Sequence, residues 1–193
     1  MIFGPETTTK REMEYRSERL SLKAASTDDL EALRAYLLRN RAFLEEWEPL
    51  REDSYYSEEA LRRMLETDIA EAARGSALRL HLRPRDGDRI IGTIGLSNIV
   101  RGAFQSCFLG YKLDEGEINK GYMTEALGKV IEVAFSDFGL HRIEANVMPK
   151  NARSIRILEK LGFEKEGMSP KYLRIAGKWE DHYHYVRRNA ALE

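Results

Sequence analysis

One cysteine, Cys107, stands in a chain of 193 residues. It excludes an internal disulfide framework and fits a reducing compartment, so the expected location is cytoplasmic. Histidine is scarce as well, at His81, His141, His182 and His184. No Cys/His cluster has metal-ligand spacing and no metal is expected. His182 and His184 can share one strand face, but two imidazoles alone make a weak site. No apolar run approaches about 18 residues, which excludes a transmembrane helix and a membrane partner. Met1 to Arg19 is polar and lacks the apolar stretch of a secretion signal. Net charge is −1, so no global field draws the chain to nucleic acid or to a membrane. Internal repeats and low-complexity linkers are missing, and so are the glycine patterns of the Walker P-loop and of the dinucleotide-binding turn.

What remains is an ordinary balance, with 33% charged and 42% hydrophobic residues. This length suits one domain with a real core. Residues 1–17 read as a loose, flexible arm, 18–188 as the domain, and 189–193 as a tail. Arg19 to Ala25 reads as a strand. Ser26, Thr27 and Asp28 offer an N-cap to a helix with Leu30, Leu33, Leu37 and Leu38 inward. Ser57 opens a second helix that Gly75 ends. Leu78, Leu80 and Leu82 alternate with Arg79, His81 and Arg83, the pattern of a half-buried strand. Asp86-Gly87-Asp88 then turns the chain into a strand over Ile90 to Leu96, and residues 97–106 form a loop or strand end. After the strand Cys107 to Leu113, a helix spans about Gly121 to Phe138, Arg142 to Met148 is a strand, and Asn151 caps a helix ended by Gly162. The end is a hairpin turned at Ala176-Gly177. Such alternation, with hairpins at both ends, predicts an α+β fold: a sheet with helices on its faces.

The most informative stretch is Glu117-Ile-Asn-Lys-Gly-Tyr-Met-Thr-Glu-Ala-Leu127. A strand enters it and a long amphipathic helix leaves it. Asn119 and Gly121 tolerate positive φ at the turn. Such a unit aims free backbone N–H groups, and the positive end of a helix dipole, at one point that suits a phosphate or pyrophosphate. By itself the loop is not specific, because many such turns are only turns. A second element, Asn151-Ala152-Arg153-Ser154 through Leu161-Gly162-Phe163, follows one strand and one turn beyond.

Together these two elements resemble the GNAT (GCN5-related) N-acetyltransferases, whose acetyl-CoA loop reads Gln-x-x-Gly-x-Gly/Ala ahead of a long helix, then a strand, Asn-x-x-(Ala/Ser), a helix and Gly-Phe. The resemblance covers about Arg19 to Arg188. Within the family it is similar to the ribosomal-protein-alanine N-acetyltransferases (RimJ/RimL-like), through Phe43-Leu-Glu-Glu-Trp-Glu-Pro49, Ser97-Asn-Ile-Val-Arg-Gly-Ala-Phe104, Leu109-Gly110-Tyr111, Leu161 to Gly167, and the tail from Lys171-Tyr172-Leu173 to Asp181-His182. The implied fold is a mixed, mostly antiparallel sheet with helices on both faces and a splay between two central strands. The implied reaction is direct transfer of acetyl from acetyl-CoA, as co-substrate, to an N-terminal α-amine, alanine above all, of a small-subunit ribosomal protein.

Several site residues follow from the resemblance. Backbone near Tyr111, Lys112 and Leu113 would bind the pantetheine amides and polarise the thioester carbonyl. Backbone of Asn119, Lys120, Gly121, Tyr122, Met123 and Thr124 would hold the pyrophosphate, with Asn151 and Ser154 completing the cofactor side. The family's first loop glycine is Asn119 here. The tyrosine that commonly reprotonates the CoA thiolate is replaced by Leu158, which leaves Ser154 on that helix face as the candidate acid. Some relatives carry a glutamate where Asn146 stands, so Asn146 is a catalytic candidate and Glu144, on the same strand face, a shifted candidate base. A salt bridge is the plainer reading of Glu144. Glu125 reads as a surface or loop-bracing partner of Lys129. Arg153, Arg156 and Lys160 either attract the CoA phosphates or form a solvated face. Trp47 and Arg101 are candidates for the acceptor side, while Phe43 reads as packing. A Cys107 acyl-enzyme, a small-molecule or other protein acceptor, and a non-catalytic CoA-binding sensor stay open, as do monomer and homodimer.

Overall fold

The computed structural model describes residues 13–193. Its strands are Glu14–Arg16 (β1), Leu20–Ala24 (β2), Leu78–Pro84 (β3), Gly92–Val100 (β4), Ser106–Leu113 (β5), Arg142–Val147 (β6), Glu164–Ile175 (β7) and Lys178–Arg188 (β8). Its α-helices are Leu30–Arg39 (α1), Arg41–Leu44 (α2), Glu58–Arg74 (α3), Tyr122–Ser136 (α4) and Ala152–Lys160 (α5). The strands make one mixed sheet in the order β1-β2-β3-β4-β5-β6-β8-β7. The β5–β6 pair is parallel and its neighbours are antiparallel. The expected α+β architecture is present. The expected arm lies outside the described residues as far as residue 12, but Glu14–Arg16 is an edge strand paired with β2 rather than loose chain. None of the described helices is long and apolar enough to cross a membrane.

Strand alternation divides the core in two. Leu80 and Leu82 of β3, Ile94 and Leu96 of β4, and Leu109 of β5 share one face and pack with Ala126, Leu127 and Val130 of α4 and Leu158 of α5. A second cluster joins Leu30, Leu33, Tyr36 and Leu37 of α1 to Leu61 and Leu65 of α3. Helix boundaries follow local chemistry. The Ser57 hydroxyl accepts from Ala60 N–H at 3.3 Å, and Gly75, at φ 68°, closes α3.

The polar positions of β3 depart from a half-buried strand, because His81 and Arg83 are buried with the leucines. Both point toward α1 and meet Asp29 there, His81 Nδ1 at 2.6 Å. Burial alone would push the Asp29 carboxyl up, but the contacts with His81 and Arg83 outweigh it and hold the carboxyl below its usual range. A lowered folded-state pKa contributes stability above the unfolded value, and that stability is lost as pH falls through the folded one. Asp29→Ala is therefore expected to lower unfolding free energy by about 3 kcal/mol near pH 7 by stranding buried Arg83. Urea titrations should show a smaller difference near pH 3, where the wild type is losing the same contribution.

One irregularity positions the site. β5 and β6 pair only at Ser106–Arg142, Cys107–Ile143 and Phe108–Glu144. Beyond that, β5 stays with β4 as far as Leu113, and β6 stays with β8 as far as Val147. The sheet therefore opens between two strands that each keep their outer partner.

Candidate active site

Asp114, just past β5, donates its N–H to the Ile91 carbonyl on the β4 side at 2.7 Å. Strand N–H groups alternate in direction, so those of Tyr111 and Leu113 point the other way, into the gap. The end of α1 fixes the loop that follows. Arg39 pairs with Asp114 at 2.6 Å, and the Asn40 side-chain carbonyl accepts Glu115 N–H at 2.9 Å. Burial would raise the Asp114 carboxyl, but Arg39 and Gly116 N–H bind it more strongly and hold it low.

The chain then turns through Asn119 at φ 61° and Gly121 at φ 81°. Gly121 is the N-cap of α4 and brings no side chain to cap it. The first helical bond is Glu125 N–H to Gly121 C=O at 3.1 Å, which leaves the N–H groups of Tyr122, Met123 and Thr124 aimed outward. Glu125 braces this end of the helix by accepting from Ser17 Oγ, Arg19 N–H and Arg19 Nε, each at 2.7 Å. It does not pair with Lys129, which reaches Glu132 instead.

Loop, gap and α5 enclose a cavity of about 620 Å³. Tyr111, Lys112 and Leu113 line it from β5, and Asn119, Gly121, Tyr122, Met123 and Thr124 from the turn and α4. Asn151 and Ser154 line it from the start of α5, where Asn151 Oδ1 accepts Ser154 N–H at 3.1 Å. Tyr111 Oη and Ser154 Oγ lie 2.6 Å apart. Burial pushes the Tyr111 hydroxyl up to about 12, against a smaller lowering by the Ser154 bond, so the phenol keeps its proton. A slot with outward N–H groups at one end and a hydroxyl pair in its wall suits a long phosphorylated thioester.

A family profile for an acetyltransferase (GNAT) domain matches residues 19–164. The chain belongs to the GNAT acetyltransferases. It is 39% identical over 166 residues, 86% of each chain, to the [Ribosomal protein uS5]-alanine N-acetyltransferase of Escherichia coli (strain K12). The ribosomal-protein-S5-alanine acetyltransferase of Vibrio fischeri has a similar structure, with TM-score 0.90 and 32% identity over 94% of this chain and all of that one. Mycobacterium smegmatis RimJ, solved in complex with CoA-disulfide, reaches TM-score 0.86 at 27% identity over 94% of this chain and 88% of that one.

In this GNAT acetyltransferase the expected residues separate into groups. The β5, loop and α5 residues converge on the cavity, except Lys120. Its ammonium turns to Glu117 at 2.9 Å, and its carbonyl accepts from Arg19 at 3.0 Å. Leu158, at the usual tyrosine position, is fully buried in the core and offers no substitute acid. Arg153, Arg156 and Lys160 line the cavity, so this basic face is turned to the site rather than only to solvent. Trp47 lines it too, with Lys150 Nζ 5.9 Å from its ring centre. Phe43 corrects a packing-only reading, because it also lines the cavity and faces the Arg153 guanidinium at 5.9 Å.

Three expectations are not met. Glu144 is held by Arg142 Nη2 at 2.9 Å and His184 Nδ1 at 3.2 Å, the salt-bridge reading, and lies off the cavity. Asn146 is bound to His184 as well, at 2.6 Å. Even-numbered β6 residues project to the sheet face away from α5, and there Arg142 holds Glu144 while His184 contacts both side chains. Arg101 donates to the Phe138 carbonyl past the far end of α4. With a rise of about 1.5 Å per residue, that helix puts Arg101 roughly 20 Å from the loop. Cys107 is buried and its thiol is pushed up to about 12 by burial, unlike a nucleophile. Among the described residues no group of three or more His, Cys, Asp or Glu side chains could hold a metal ion.

Two side chains that line the cavity escaped sequence reasoning. One is the Tyr111 side chain, whose neighbour Ser154 is far away in sequence. The other is Glu48, the one carboxylate among the described residues that line the cavity. Its position in Trp-Glu-Pro, beside an expected acceptor residue, was the available signal.

Proposed function

We propose that this chain transfers acetyl from acetyl-CoA to the N-terminal α-amine, alanine above all, of a small-subunit ribosomal protein. The observation that carries the reading is the convergence in one cavity of the uncapped α4 N-terminus and the N–H groups of Tyr111 and Leu113. The uncapped N–H groups suit the pyrophosphate, and the strand N–H groups suit the pantetheine and the oxygen of a polarised thioester. Arg153, Arg156 and Lys160 add positive charge along the phosphate side. Transfer is direct: the amine nitrogen attacks the thioester carbon, and the sulfur leaves toward Tyr111 and Ser154. The similarity to uS5-alanine acetyltransferases over most of the chain supports the acceptor.

An N-terminal amine also suits the chemistry. Its unperturbed pKa of about 8 leaves a fair share neutral near pH 7, whereas lysine at about 10.4 leaves very little. Incubation of small-subunit ribosomal proteins with enzyme and labelled acetyl-CoA, read by mass spectrometry, should place label on an N-terminal alanine. Label confined to internal lysines, or only on an added small-molecule amine, would overturn the acceptor. Acetyl-CoA binding with no thiol release from any amine would favour a CoA-binding sensor.

A further inference from the structure

The acceptor's ammonium needs somewhere to rest and something to take its proton. Most charged residues lining the cavity are cations: Lys112, Lys150, Arg153, Arg156 and Lys160. A positively charged acceptor is repelled along most of that wall, and Glu48 is the exception. The loop holds Glu48 firmly. Pro49 restricts it to extended backbone, observed at φ −124° and ψ 161°. Its carbonyl accepts Ala176 N–H at 2.9 Å from the β7–β8 turn, and its carboxylate pairs with Lys112 Nζ.

Strand parity then sets the two sides of the reaction. Tyr111 pairs across β4 with Ile94 and projects to the α5 face, where it meets Ser154. Lys112 pairs with Thr93 and projects to the opposite face, where it meets Glu48. The backbone N–H groups of Tyr111 and Leu113 point into the gap between these faces. A carbonyl held there has a proton donor for its leaving group on one side and a carboxylate on the other. That arrangement gives the attacking amine and the leaving sulfur a proton relay each.

We propose that Glu48 receives the acceptor's ammonium and takes its proton, an inference that rests on the acetyltransferase reading of the same cavity. One N–H proton passes to the Glu48 carboxylate and on to solvent. The neutral nitrogen bonds to the thioester carbon and the carbon–sulfur bond breaks. The sulfur leaves with a proton from the Tyr111–Ser154 pair, which the nitrogen's second proton replaces by way of solvent. Glu144 does not line the cavity and takes no part.

The test uses whichever amine the wild type acetylates, peptide or small molecule. Glu48→Gln should lower kcat/KM for that amine about 100-fold near pH 7, with acetyl-CoA affinity by calorimetry unchanged. The deficit should shrink to a few-fold well above the unperturbed amine pKa of about 8, where solvent has already removed the proton. Glu48→Asp, which keeps the carboxylate, should recover part of the activity. A Glu48→Gln enzyme within threefold of wild type at pH 7, or a deficit that stays constant with pH, overturns the proposal and leaves the transferase reading intact. A wild type that binds acetyl-CoA and acetylates no amine overturns both.

Discussion

Gly121→Val should reduce acetyl-CoA affinity by about 100-fold or more in a protein that still folds. Gly121 sits at φ 81°, a region that a β-branched residue occupies only with strain. A Cβ there would approach Arg19 Nη2 to 3.3 Å, displacing the side chain that with Glu125 braces this end of α4. Relieving the strain means re-aiming the turn, and with it the N–H groups of Tyr122 and Met123. Hydrogen bonds to charged groups are worth about 1.5–3 kcal/mol each, so losing two costs about 3–6 kcal/mol, beyond 100-fold in affinity. Gly128→Ala is the control. That glycine lies mid-helix with open space around its Cβ position, so alanine should leave affinity unchanged and add about 0.5–1 kcal/mol of stability. Titration calorimetry reads the affinities. Normal affinity in a folded Gly121→Val protein would remove the phosphate role from the turn.

Local signals carried much of this site in the sequence. Asn119 and Gly121 both take the left-handed geometry their residue types allow. Asn151 caps α5 as its type suggests, which places Ser154 in the first turn. The errors arise where distant segments decide. Arg101 is a candidate by sequence because the string around it resembles the family, yet the β4–β5 connection carries it to Phe138 and away from the cavity. Glu144 has the right residue type, but only sheet pairing reveals that Arg142 and His184 occupy it. His81 and Arg83 look like solvent positions by alternation until α1 brings Asp29 over them. Periodicity reports which face a residue is on; it does not report what covers that face. Glu48 illustrates the same limit from the other direction. Its position between Trp47 and Pro49 is the one local mark that separates it from Glu45 and Glu46, and its place in the cavity comes from Lys112 on β5 and Ala176 on the terminal hairpin.

The second large effect is expected at the hydroxyl pair. Tyr111→Phe and Ser154→Ala should each lower kcat about 100-fold while leaving acetyl-CoA affinity near normal, because a thiolate leaves slowly without a proton donor. Their hydroxyls lie 2.6 Å apart and Leu158 supplies no replacement, so the two act as one unit. Groups that act as a unit are non-additive, and the double variant should be little worse than the poorer single one. Their ranking identifies the group that meets the sulfur: a deeper loss for Ser154→Ala assigns the final transfer to serine with tyrosine behind it, and the reverse assigns it to tyrosine. The pH profile offers an independent check. Burial pushes the Tyr111 hydroxyl up to about 12, so it stays protonated across the working range and is lost as a donor only near that value. With this pair as the acid, kcat should hold level to about pH 10. A fall centred well below that would mean that a different group protonates the sulfur, and kcat values within twofold of wild type for both variants would return Tyr111 and Ser154 to a structural role.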